Sequence, residues 1–95
     1  MEVATTEIDI RRDFVAEWNA EAIVWEPAEY DRAIVGVVDR CGFEAVAVYD
    51  YELLVEVTME SGDCDYGEAV EYVEFNIVGA YVGKHTPMTL YRPLA

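Results

Sequence analysis

PAEYDRAIVGVVDRCG, residues 27–42, is the stretch on which the fold turns. Tyr30, Ala33, Ile34, Val37, Val38 and Cys41 recur at i, i+3, i+4, i+7, i+8 and i+11, which is one continuous apolar stripe on a helix. Pro27 stands near the start and Gly42 just past the end, the asymmetry that helix termini favour. The spacing predicts a helix over 27–42. Gly36 then falls inside it, at a cost of about 1 kcal/mol relative to alanine.

Downstream, FEAVAVYD at 43–50 reads as a strand. Asp50 is placed to cap a helix over YELLVEVTMES, which Gly62 closes. Asp65 caps another over YGEAVEYVEFNIVGAYV, with Ala69, Val70, Val73, Ile77, Ala80 and Tyr81 on one face and Gly83 as its stop. Asn76 interrupts that apolar stretch and reads as a buried polar tie to a neighbouring loop. TPMTLYRPL, between two prolines, reads as a further short strand. Upstream, AIVWEP at 22–27 is apolar and closed by proline, which suits a strand. Thr6 and Asp9 form a shortened capping box for a helix through RRDFVAEW, with Phe14 and Trp18 facing inward. Alternating Ile8 and Ile10 leave an extended start open. These elements predict an α+β fold. It is one compact, helix-dominated domain over residues 1–95, with about four helices and a small sheet of two or three short strands joined through helical crossovers.

Apolar residues make up 54% of the 95, enough for a single core and too many for a disordered chain. The formal charge is -14, from 20 acidic and six basic side chains. Direct binding to nucleic acid or to anionic membrane is excluded by that balance, since both need a basic face. Positively charged protein surfaces are the natural partners. Apolar runs such as AVAVY at 45–49 are too short to span a bilayer, and no signal peptide is visible. Cys41 and Cys64 have no CxxC spacing and read as reduced thiols in a cytoplasm.

Motifs for chemistry are absent. DCDYGE places Asp63, Asp65 and Glu68 like the opening of an EF-hand, but glycine is fifth and glutamate sixth where that loop needs oxygen and then glycine. A single histidine, His85, and two separated cysteines supply no zinc pattern. Nothing brings a nucleophile, base and acid together, so the expectation is a protein that is not an enzyme and needs no cofactor. Gly79 and Gly83 have small-xxx-small spacing, which suits close helix approach or, alternatively, a homodimer interface.

The carboxylates carry the strongest signal. Tyr51 to Glu74 holds eight acidic residues, and no lysine or arginine occurs between Arg40 and Lys84. Glu52, Glu56 and Glu60 repeat every four residues, about 6 Å apart along one helix face. Like charges at that spacing cost a helix roughly 0.2–0.5 kcal/mol per pair, where alternating lysines would stabilise it. Glu68, Glu71 and Glu74 wind around the next helix. A hairpin of the two presents negative points at spacings within a factor of two of the roughly 3.4 Å between phosphates of one DNA strand.

EAVEYVEFNIVGAYVGKHTP at 68–87 resembles a family of small uncharacterised bacteriophage and prophage proteins. YDRAIVGVVDR at 30–40 and AVYDYELLVEV at 47–57 resemble earlier blocks of the same family, so the likeness spans 30–87. It implies a fold, brings no catalytic residues, and leaves the N-terminal helix unexplained. By size and charge alone the chain resembles acidic anti-CRISPR proteins and other DNA-mimic inhibitors. That likeness implies an inhibitor in the host cell cytoplasm, bound to the basic DNA groove of a CRISPR effector. Glu52, Glu56, Glu60, Asp63, Asp65, Glu68, Glu71 and Glu74 are the expected contacts, with Tyr51, Tyr66 and Tyr72 adding amphipathic area. The alternative is a small dimeric phage interaction module without DNA mimicry.

Overall fold

The computed structural model describes residues 3–93, and side chains over 11–93. The helix expected over 27–42 does not form. Ala28–Ala33 makes a short 3-10 helix, and Ile34–Arg40 then extends as strand β1. Ile34, Val35, Val37 and Val38 are β-branched, lose side-chain freedom in a helix, and fit a pleated surface. Cys41 and Gly42 turn the chain, Gly42 at φ 88, and β1 folds back antiparallel on β2, Phe43–Asp50. Val37 lies opposite Ala47 and Val38 opposite Val46. Gly36 therefore sits at a strand irregularity, not within a helix.

Strand β2 is the middle of the sheet, in the order β1-β2-β3, and Ala45 to Asp50 are all buried. Such a run, without alternation, marks a strand covered on both faces. The Asp50 carboxylate accepts from the Leu53 N–H at 3.0 Å and starts helix α2, Tyr51–Gly62. Gly62 is the last helical residue, and Asp63 takes the left-handed conformation beyond it, at φ 53 and ψ 47. Asp65 forms a capping box with Glu68: the Glu68 N–H donates to Asp65 at 2.8 Å and the Asp65 N–H to Glu68 at 3.1 Å. Helix α3, Tyr66–Val73, follows.

Beyond Val73 the chain widens into a π turn, Glu74–Val78, and stops at Gly79, well before Gly83. The Gly79 N–H donates to the Glu74 carbonyl at 3.0 Å, and a Cβ there would stand 3.1 Å from that oxygen. Ala80 and Tyr81 accordingly leave the helical stripe, and Tyr81 is 77% exposed. Gly79 and Gly83 do not share a helix face. Asn76 is exposed and donates to the Tyr72 carbonyl at 3.2 Å, four residues back, so it ties no neighbouring loop. Strand β3, Met88–Leu90, runs parallel to β2, with Val48 opposite Met88. The helical crossover thus holds for β2 and β3, while β1 and β2 are a hairpin.

Helix α1 covers Val3–Trp18. Ile8 and Ile10 are helical, and the helix begins ahead of Thr6; the Thr6 and Asp9 side chains lie outside the described residues. Phe14 and Trp18 are 43% and 55% exposed and do not face the core; Val15, at 1%, does. Residues 22–27 are irregular, not a strand, because their backbone hydrogen bonds go to isolated partners: the Trp25 N–H to the Tyr49 hydroxyl at 2.8 Å, the Ile23 N–H to the His85 carbonyl at 3.2 Å. The fold is α+β and helix-dominated, as the sequence predicts. One cluster holds it together, joining Val15, Tyr49, Leu54, Val55, Val73 and Ile77.

Candidate acidic interface

Helix α2 buries Leu54, Val55, Val57 and Thr58. At 100° per residue, Glu52, Glu56 and Glu60 project on the opposite side, and all three are exposed. Helix α3 buries Ala69 and Val73, which turns Glu68 and Glu71 away from the core. Asp63 and Asp65 are exposed in the turn between the helices. The two helices pack as a hairpin, since the Tyr51 hydroxyl at the start of α2 donates to Glu74 beyond α3 at 2.8 Å.

The carboxylates are not equivalent. Glu60 is paired with Arg32, Glu74 accepts from Tyr51, and Asp65 and Glu68 cap α3. Among the described residues, Glu52, Glu56, Asp63 and Glu71 have no ion-pair or hydrogen-bond partner for their carboxylates. Tyr51 is half-buried and stacked on Tyr91, centroids 4.9 Å apart. Burial, then the neighbouring Glu74 carboxylate, pushes its phenol up to about 12, so it stays a proton donor. Tyr66 and Tyr72 are exposed and available for contact.

The reason the face stays negative lies elsewhere in the molecule. Arg12 is spent on the fully buried Asp31, and also reaches Glu26 at 3.2 Å. Arg92 pairs with buried Asp50; burial alone would raise that carboxyl, but Arg92 and the Leu53 N–H outweigh it and hold it low. Arg11 donates to the carbonyls of Arg32 and Ile34, and the Arg40 guanidinium lies 4.4 Å from the centre of the Phe43 ring. These cations hold the fold, and no lysine or arginine lies within α2 or α3.

Phe75 is a residue that sequence reasoning passed over. It is 85% exposed and lines a recess of about 740 Å³ with Glu68, Glu71, Tyr72 and Glu74. An exposed aromatic among carboxylates is a surface suited to an arginine, whose guanidinium pairs with carboxylate and stacks on a ring. The available signal was its position off the 69, 73, 77 stripe. A second concavity, about 960 Å³, lies on the other face of the sheet, between Phe43, Val46, Tyr81 and Met88, with Arg40 and Lys84 beside it. Both thiols are free: Cys41 is exposed in the hairpin turn, and Cys64 is half-buried after α2. No described helix is long and apolar enough to cross a membrane.

No protein family, characterised protein or solved structure matches the chain.

The unrelieved face has a direct consequence for the free protein. Raising NaCl from low to physiological concentration should raise the melting temperature by a few degrees, because screening weakens carboxylate repulsion. About 1 kcal/mol regained corresponds to roughly 4–8 °C in a domain of this size. A flat or falling melting temperature would mean that the surface charge is already balanced.

Proposed function

We propose that this chain is a phage-type anti-CRISPR inhibitor, an acidic protein that occupies the basic DNA-binding groove of a CRISPR effector and excludes target DNA. The observation that supports it is a helical hairpin with eight exposed carboxylates and no cation of its own. Arginines of the groove would meet Glu52, Glu56 and Glu71, and the recess beside Phe75 and Tyr72 would take a guanidinium. The protein acts by binding, with no chemical step.

The test is competition. Labelled target duplex bound to a panel of purified effector ribonucleoproteins is titrated with this protein, followed by anisotropy. Displacement from at least one effector, weakening as salt rises, is expected. If saturating protein leaves the duplex bound in every case, the reading fails. His85→Ala and Cys64→Ala should each displace DNA as well as wild type does. Loss of displacement in either, with the protein still folded, would point to chemistry instead of occlusion.

A further inference from the structure

We propose that Glu21, Glu44 and His85 form a binding site for a divalent transition cation of the zinc class, independent of the acidic hairpin. The three come from three separate segments: the chain after α1, the start of β2, and the loop before β3. One carboxylate oxygen of each glutamate and Nε2 of His85 lie within 4.8 Å of one another. Nε2 touches the Glu44 carboxylate and stands 3.8 Å from that of Glu21.

Two anionic oxygens converge here on a nitrogen that carries at most one hydrogen. A proton on Nε2 bonds to Glu44 and leaves the exposed Glu21 carboxylate to solvent. A metal ion in place of that proton satisfies all three. Zinc binds imidazole nitrogen and carboxylate oxygen at about 2.0–2.2 Å, which requires the ligand atoms to draw together to roughly 3–3.5 Å. The exposed glutamates have the freedom to make that movement, while the His85 side chain is only 14% exposed.

The backbones that carry the ligands are already cross-linked. Asn19 accepts from the Glu21 N–H at 3.0 Å and donates to the Ala45 carbonyl at 2.9 Å, clasping the two glutamate segments together. The Ile23 N–H donates to the His85 carbonyl at 3.2 Å and fixes the third. Two carboxylates and a neutral imidazole offset a charge of two, and a water completes four-coordination. The nitrogen donor favours zinc, cobalt, nickel or copper over the oxygen-seeking calcium and magnesium. Among the described residues, Lys84 is an opposing charge close enough to act on the Glu44 carboxylate. No fixed motif encodes the set, because its members lie at positions 21, 44 and 85. A bound ion would pin the 83–87 loop to the head of the sheet.

Calorimetric titration of the full chain with zinc chloride, in excess magnesium to occupy surface carboxylates, tests the site. One zinc per chain is expected, with at least tenfold weaker binding in Glu21→Gln and in Glu44→Gln. His85→Gln should abolish it, and Cys41→Ser with Cys64→Ser should leave it unchanged. No saturable binding, or binding that survives His85→Gln or vanishes with the cysteines, overturns the assignment. Should His85→Gln fail to fold, the wild type still decides. It has a single histidine, whose imidazole NMR signals must shift on stoichiometric zinc, and unshifted signals refute the site.

Discussion

Arg12→Ala should destabilise this protein by about 3–5 kcal/mol, the cost of leaving a buried carboxylate without its partner. Asp31 is fully buried, and Arg12 grips it with two parallel bonds, Nε to Oδ2 at 2.7 Å and Nη2 to Oδ1 at 2.8 Å. Domains of this size hold about 5–15 kcal/mol in total, so the variant should lose roughly a fifth or more of its stability. The exposed pair of Arg32 and Glu60 gives the contrast: Arg32→Ala should cost less than about 1 kcal/mol, because water already solvates both charges. Arg12→Met with Asp31→Leu should recover most of the loss, since an apolar pair leaves no unpaired charge. Urea midpoints measure all three. An Arg12→Ala protein within 1 kcal/mol of wild type would show that Asp31 finds another partner or water. The tie joins α1 to the 3-10 helix ahead of β1, so its loss loosens the N-terminal helix first.

If the chain acts as proposed, reversing Glu52, Glu56 and Glu71 to lysine should weaken its binding to a CRISPR effector by at least about a hundredfold, which is roughly 2.7 kcal/mol. These three are chosen because they have no internal partners among the described residues, whereas Glu60 holds Arg32 and Glu68 caps α3. Lysine and glutamate have similar helix propensity, so the helices should survive. The association rate should fall first, since long-range charge acts mainly there, and glutamine at the same positions should weaken binding less than lysine. Asp13, Glu17 and Glu29 are exposed carboxylates on α1 and the 3-10 helix, and their reversal is the control. Equal losses in both triple variants would mean that only total charge counts. If neither matters, the hairpin is a solvated acidic surface, and a dimeric interaction module becomes the better account of the chain.

What the sequence by itself determined is whatever depends on neighbours along the chain. Asp50 and Asp65 cap α2 and α3 because the bond each side chain makes is three residues long. The acidic repeat faces solvent because Leu54, Val55 and Val57 take the other side of the same helix. Strand β3 was readable between its two prolines. Tertiary structure decided what depends on partners far away. The 27–42 stripe matches a helix by spacing, yet β2 offered its β-branched residues a backbone ladder and a covered surface, and pairing won. Phe14 and Trp18 have helical spacing toward a core that Val15 and the Arg12 bond with Asp31 had already set. The carboxylate face could be counted from the sequence. That Arg12 and Arg92 would be consumed by Asp31 and Asp50, across 19 and 42 residues of chain, could not be, because an ion pair is fixed by distance in space. The convergence of Glu21, Glu44 and His85 is hidden for the same reason: three segments without a shared motif meet only once the sheet has closed.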